Sequence, residues 1–330
     1  MIAASSDRLA RYRSRLALPL IAAPMFRVSG IDLVTAACAN GVLGAFPTAN
    51  CRTSEELDGW LSIIAERLKK IEGETGRKPA PLCPNLIVHR TNTRLREDLT
   101  VLVAHKPQIV VTSVGSPTAV LRELQEAGAI VLADVASIRH AELAARAGAD
   151  GLVLLTSGAG GQTGWLNPFA FVRAVRSFYS GILVLAGGIG DGVAIAAAES
   201  LGCDLAYMGT KFIATHESMA SDNHKRMLVD STADDILATT AFTGLQTSVL
   251  TPSIVAAGLD PSNLPLRGPI DVSDDLDVLA REKRPKPWRD IWSAGHSVSG
   301  VAEILSVSEL VMKTTLEYET ARSRAPPSQS

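Results

Sequence analysis

Val184-Leu185-Ala186-Gly187-Gly188-Ile189-Gly190 and Ala206-Tyr207-Met208-Gly209-Thr210-Lys211 each put glycine just past an apolar run, with Gly187 and Gly209 22 residues apart. The runs, 182–186 and 205–208, have the length of buried strands. Glycine at such an end lets backbone N–H groups approach an anion with no Cβ in the way. In a (β/α)8 barrel, the loops after the seventh and eighth strands form the customary phosphate site. The two turns therefore point together to an α/β barrel and to a phosphate-bearing ligand.

Working outward, apolar runs alternate with amphipathic stretches, the pattern of a parallel sheet built from βα units. Eight strands are expected, at 18–23, 41–46, 82–86, 109–112, 130–133, 151–155, 182–186 and 205–208. Helices are expected at 54–70, 117–126, 141–147 and 168–176, with Thr53 or Ser54, Ser116 and Asn167 placed to cap three of them. Beyond 215 the alternation stops. Helical segments at 218–229, 234–240 and 253–257 lead into a proline-rich charged stretch, and a last helix over 301–316 is long enough to close the barrel. The expected organisation is a TIM barrel formed by 1–215 plus 290–321, with a small helical substrate or lid domain, 216–289, inserted after strand eight. The tail 322–330 reads as disordered.

Composition bounds the function. The 330 residues exceed the roughly 250 of a single barrel and leave room for that insertion. A formal charge of −2 and 5% aromatic residues offer neither a basic surface nor stacking platforms for nucleic acid. No apolar run has the length of a membrane span, and the arginine-bearing start lacks the apolar core of a signal peptide. Cys38, Cys51, Cys83 and Cys203 are far apart, without zinc-type spacing, and read as reduced thiols of a cytoplasmic protein. The partner expected is a small-molecule substrate; a homodimer is left open.

The next chemical signal is Ser157-Gly158-Ala159-Gly160-Gly161-Gln162-Thr163-Gly164, a glycine loop directly after the sixth strand whose backbone can lie flat against a planar ligand. Thr163 stands where a dinucleotide fingerprint needs its third glycine, and Val193 fails the other G-x-G frame in the same way. No Walker sequence is present.

Taken in order, Ile21-Ala22-Ala23-Pro24-Met25, Asn85 at a strand end, Gly148-Ala149-Asp150-Gly151, Ala159-Gly160-Gly161-x-x-Gly164, Ala186-Gly187-Gly188-Ile189 and Met208-Gly209-Thr210-Lys211-Phe212 resemble the nitronate monooxygenase family, with a weaker echo at Ser293-Ala294-Gly295-His296. The family shares its barrel with flavin-dependent enoyl reductases. The resemblance implies an FMN-dependent oxidoreductase that oxidises alkyl nitronates with O2. Carried across residue by residue, it puts the FMN phosphate on the backbone around Gly187, Gly188, Gly209 and Thr210, with Tyr207 and Met208 on the strand leading there. The ring is then expected over Ala23, Pro24 and Met25, with Asn85 donating to it and Gly160 and Gly161 close by.

Gln162 departs from the family, whose nitroalkane oxidisers generally carry a histidine there, credited with taking the substrate's proton. An amide has no protonation step near neutral pH. Substrates then arrive already ionised, or another group is the base, or the reaction differs. One alternative is an NADH- or NADPH-dependent reductase acting on an activated C=C, as in an enoyl thioester or enone, or on a quinone. Gln162 would then polarise the acceptor. A non-redox barrel lyase or isomerase gripping a substrate phosphate at the same turns is a second alternative, and a catalytically silent flavin binder a third. Asp134, ending the fifth strand, is a candidate acid/base or orienting group, or else a cap. His216 and His296 read more readily as surface or packing residues than as ligands, Lys211 as a charge near the phosphate or a solvated group, and the basic run 281–288 as a solvated connector.

Overall fold

The strands form where β-branched and leucine runs meet the end of a helix, and their order follows the sequence. The computed structural model describes residues 7–264, 270, 273 and 290–324. Eight parallel strands carry the barrel: β1 (Leu20–Ala22), β2 (Leu43–Gly44), β3 (Asn85–Ile87), β4 (Ile109–Ser113), β5 (Ile130–Val135), β6 (Gly151–Leu155), β8 (Ile182–Ala186) and β9 (Leu205–Met208). The sheet runs in the order β2-β1-β9-β8-β6-β5-β4-β3. Parallel bridges Gly44–Leu82 and Pro47–Asn85 join its two ends, with Cys83 N donating to Gly44 O (2.9 Å) and Asn85 N to Phe46 O (2.8 Å). The sheet is thus closed, and all eight expected strands are present, shifted by at most a few residues.

Along each strand alternate side chains face the bore or the helices. Ile21, Leu43, Cys83, Ile109, Val111, Ile130, Leu132, Val153, Ile182, Val184 and Leu205 fill the bore as one apolar cluster. The opposite faces pack against the outer helices, α1 (Ile31–Ala39), α2 (Ser54–Thr75), α3 (Leu95–His105), α4 (Leu121–Glu126), α5 (Ile138–Ala147), α6 (Pro168–Arg176) and α7 (Gly192–Leu201). The caps read from the sequence are in place: Thr53, Ser116 and Asn167 side chains accept from Glu56 N, Thr118 N and Phe169 N. Each fixes where the chain leaves a loop at the strands' C-terminal ends and so fixes the rim on which ligands bind.

After β9 come the short α8 (Thr210–Ile213), α9 (Asp222–Asp230) and α10 (Thr251–Ala256). The helix expected over 234–240 is instead β10 (Ile236–Thr239), antiparallel to β11 (Thr247–Leu250). Thr243 and Gly244, at φ 76°, turn the chain between them. The apolar residues Ile236, Leu237 and Ala238 suit either structure, and the pairing with β11 decides it. The glycine loop supplies β7 (Gly161–Gln162) as the third strand, pairing Gln162 with Thr247 and Gly161 with Ser248. That loop is an edge strand and not a flexible turn.

The closing helix begins six residues later than expected, as α11 (Val307–Arg324). Ser306 and Glu309 form a reciprocal box in which Ser306 N donates to Glu309 Oε2 (2.9 Å) and Glu309 N to Ser306 Oγ (3.2 Å), which sets the start at Val307. Residues 322–324, expected in the disordered tail, continue this helix; 325–330 lie outside the described residues. α11 packs between α7 and α1, where Gly192 N donates to Glu317 Oε2 (3.0 Å) and Tyr318 Oη to Glu199 Oε2 (2.6 Å). Among the described residues, no helix is long and apolar enough to cross a membrane. Cys38, Cys51, Cys83 and Cys203 are all buried and unpaired.

Gly151 shows how little slack the bore has, since a Cβ there would stand 2.5 Å from Leu132 Cδ2 and 2.8 Å from Ile182 Cβ. Gly151→Ala is expected to lower stability by about 1–3 kcal/mol through overpacking. A urea midpoint equal to that of the wild type would refute this.

Candidate active site

The bore is apolar below and polar at its upper rim. Moving up each strand by its two-residue repeat brings Ala23, Asn85, Ser113, Asp134, Leu155, Ala186 and Tyr207 to the floor of a cavity of about 450 Å³. Gly158 to Gln162, Gly187, Gly188, Gly209 and Thr210 form its sides. Met219, Ser221, His224, Leu245, Thr247, Ile291 and Trp292, all from the chain after β9, close it above.

The glycine walls have separate reasons. Gly187 (φ 126°) would drive a Cβ into Thr156 Oγ1, which is tied to Ala186 O at 2.8 Å. Gly188 (φ 72°) has nothing within 4 Å of its Cβ position, so its backbone borders open space. At Gly160 a Cβ would stand 2.7 Å from Gly295 N, and at Gly158 2.7 Å from His296 Nδ1. The loop after β6 is therefore pressed against Ala294-Gly295-His296. The fit is held by His296 N donating to Gly158 O (2.9 Å) and Gly295 N donating to the buried Thr210 Oγ1 (3.0 Å).

Asn85 is oriented by its neighbours: Ser113 Oγ donates to its Oδ1 (3.2 Å) and its Nδ2 reaches Val111 O at 3.4 Å. Asp134 has a covered Oδ1 with no hydrogen-bond partner, and burial pushes its carboxyl up to about 8. Tyr207 is 8% exposed, its hydroxyl is likewise unpartnered, and burial holds its phenol well above the usual range. On the roof, the His224 ring stacks on Trp292 (centroids 5.1 Å, 13°), and Nε2 lies 3.3 Å from Ser293 O. Burial takes His224 down to about 4, so the imidazole is neutral in neutral solution.

With these positions established, comparison with known proteins identifies the lineage. The family model described as nitronate monooxygenase matches residues 12–317. The chain belongs to the nitronate monooxygenase family. It is 28% identical to a nitronate monooxygenase of Paraburkholderia phytofirmans over 91% of this chain and 92% of that protein. It is also 26% identical to (3aS,4S,5R,7aS)-5-hydroxy-7a-methyl-1-oxo-octahydro-1H-indene-4-carboxyl-CoA dehydrogenase of Mycobacterium tuberculosis, over 72% of this chain and 64% of that one. Among solved structures, the nitroalkane oxidase of Streptomyces ansochromogenes superposes with a TM-score of 0.75 at 25% identity, covering 96% of this chain and 99% of that chain. The chain is thus an oxidoreductase of this family on a TIM barrel.

Of the residues singled out from sequence, Ala23, Pro24, Met25, Asn85, Asp134, Gly160, Gly161, Gln162, Gly187, Gly188, Tyr207, Gly209 and Thr210 all border the one cavity. Met208 does not: strand alternation turns its side chain outward, into the core against the helices. Asp134 lies within β5 and faces the cavity, so it is not a helix cap; Ser137 caps the next helix. Lys211 does not line that cavity, and its ammonium donates to Gly300 O. His216 and His296 are exposed and outside the cavity. The run 281–288 lies outside the described residues.

Sequence reading missed Asn50, whose side chain accepts from Arg27 N (2.8 Å) and donates to Met25 O (3.1 Å) and Ser29 O (2.8 Å). It pins the turn in which Arg27 takes φ 60° at the cavity edge. A lone Asn beside a short 3₁₀ turn carries no signal of this; the same holds for His224 and Trp292, which meet only in three dimensions.

The Thr210–Gly295 bond joins loop eight to the returning chain. Thr210→Val, which leaves a buried N–H unsatisfied, is expected to cost about 1–3 kcal/mol, and Thr210→Ser to restore most of it. Equal unfolding midpoints for all three proteins would remove the bond from the argument.

Proposed function

We propose that this chain is an FMN-dependent enzyme that oxidises alkyl nitronates with O2. The observation that carries the reading is the glycine cradle at Gly187–Gly188 and Gly209–Thr210. It stands at the strand ends where a barrel holds phosphate, with open space beside Gly188 that any side chain would fill. The residues fit the cofactor: main-chain amides for a dianion, and beyond them a floor with Asn85, Asp134 and Tyr207 as polar contacts for a planar ring. Bound there, FMN would supply the two-electron chemistry and the reaction with O2.

The protein's own part is binding, orientation and exclusion of water. Asn85, held by Ser113, presents its amide to the ring. Met25, Met219, Ile291 and Trp292 give the substrate an apolar enclosure. Segment 216–289 serves as the lid over it, with the barrel formed by 1–215 and 290–321. Gln162 is fixed by the pairing of β7 with β11 and so presents a hydrogen-bond donor at the site without a base. With no base at that position, the substrate on this reading is the preformed anion. The buried, unpaired thiols support a reducing compartment, the cytoplasm.

The second reading, a reductase of an activated C=C or a quinone that takes electrons from NADH or NADPH, rests on the same amide and on the relative that acts on a CoA thioester. Membership of an oxidoreductase family sets the lyase reading aside.

Purified protein is expected to be yellow and to retain FMN in preference to riboflavin, which lacks the phosphate. The wild type is expected to prefer nitronate to neutral nitroalkane. Gln162→His should raise turnover of the neutral form by on the order of 10²-fold, the contribution typical of a positioned base. Equal wild-type rates on the two forms would overturn the ionised-substrate reading, and bleaching of the flavin by NADH or NADPH would favour the reductase.

A further inference from the structure

The polar atoms at the top of the bore are not all accounted for by the fold. Asp134 follows Ile130 and Leu132 on the inward face of β5, and Tyr207 follows Leu205 on that of β9. Both border the cavity, and Asp134 Oδ1 and Tyr207 Oη are covered and without a hydrogen-bond partner. Such orphans are rare in folded proteins, because each gives up hydration and gains nothing in return. Two of them beneath one cavity leave uncompensated polar groups next to whatever the cavity holds.

The surroundings of Asp134 define what it can do. The strands on either side bring Ser113 and Leu155 to the same cavity, and neither titrates. The titratable groups that feel its charge are Tyr207 and Cys83, and burial keeps both neutral. Arg27 and His224 border the cavity from its edge and its roof, but among the described residues burial is what sets the ionisation of Asp134, and it holds the carboxyl toward the neutral form, up to about 8. A negative charge arriving nearby would make that ionisation harder still.

We infer that Asp134, seated with Tyr207 on the cavity floor, takes up a proton from solvent when the bound flavin is reduced in alkaline solution, and so offsets the charge that reduction places on the ring. The inference rests on the FMN reading. In the step, an external donor of the nicotinamide or dithionite class gives two electrons and is oxidised. One proton joins the ring, which in alkaline solution retains one negative charge. A second proton forms an O–H bond on the Asp134 carboxylate, and no bond breaks in the protein.

The midpoint potential of the bound flavin, measured from pH 8 to 9.5, reads this directly. A tenfold change in proton activity corresponds to about 29.6 mV for each proton taken up by a two-electron couple. The wild type is expected to show about twice that slope, near 59 mV per pH unit. The isosteric Asp134→Asn is expected to fall to about 30 mV per pH unit, with FMN still bound. Tyr207→Phe, which keeps the carboxyl, is expected to retain the steep slope, so a general disturbance of the floor is told apart from loss of the proton. A shallow wild-type slope, or a steep one in Asp134→Asn, would overturn the inference while leaving the FMN reading intact. A protein that takes up no FMN would overturn both.

Discussion

Backbone pressed on backbone is the constraint from which the site follows. Gly160 lies against Ala294 and Gly295, and Gly158 against His296, so closely that a single Cβ at either glycine would collide. This contact brings together the loop after the sixth barrel strand, the loop after the eighth and the segment 294–296. Thr210 and Gly295 hydrogen-bond across it. Because the loop after β6 is fixed there, Gly161 and Gln162 can extend as an edge strand under β11. The roof of the cavity is therefore hydrogen-bonded to its wall.

That construction gives the two sides of the cavity different tasks. The floor is a continuation of the bore, where the apolar stack gives way at its last level to Asn85, Ser113, Asp134 and Tyr207. The roof is a separate apolar cluster in which Val28, Ile213, Leu228, Leu250, Ala294 and Val298 pack beneath α9 and the antiparallel strands. A ligand between them meets the polar end of the bore on one face and, on the other, Met219, Leu245, Ile291 and Trp292 interspersed with Ser221, His224 and Thr247. The only imidazole bordering the cavity among the described residues, His224, is kept neutral by burial. With an amide at Gln162 as well, this site differs from one that carries its base on the glycine loop.

Much of this was legible along the chain. The eight strands could be read because each is a short apolar run bounded by glycine or a capping residue, signals that act within a few residues. The cradle at Gly187, Gly188, Gly209 and Thr210 was legible for the same reason. The errors fall where local preference is indifferent. Ile236 to Thr239 suits a helix as well as a strand until Thr247 to Leu250 pairs with it. Met208, named with the site from its place in a motif, has its side chain turned by strand alternation into the core against the helices.

The sequence by itself determined the barrel and the glycine turns that end its last two strands, because strand length, helix capping and glycine freedom are properties of neighbouring residues. Only the tertiary structure decided that β7 joins β10 and β11 in a second sheet, that Asn50 holds the turn at Arg27, and that Asp134 Oδ1 and Tyr207 Oη lie at one cavity floor without partners. Those facts depend on contacts between residues tens to hundreds of positions apart, and on burial. Both arise only once the sheet has closed and water has been driven from its core.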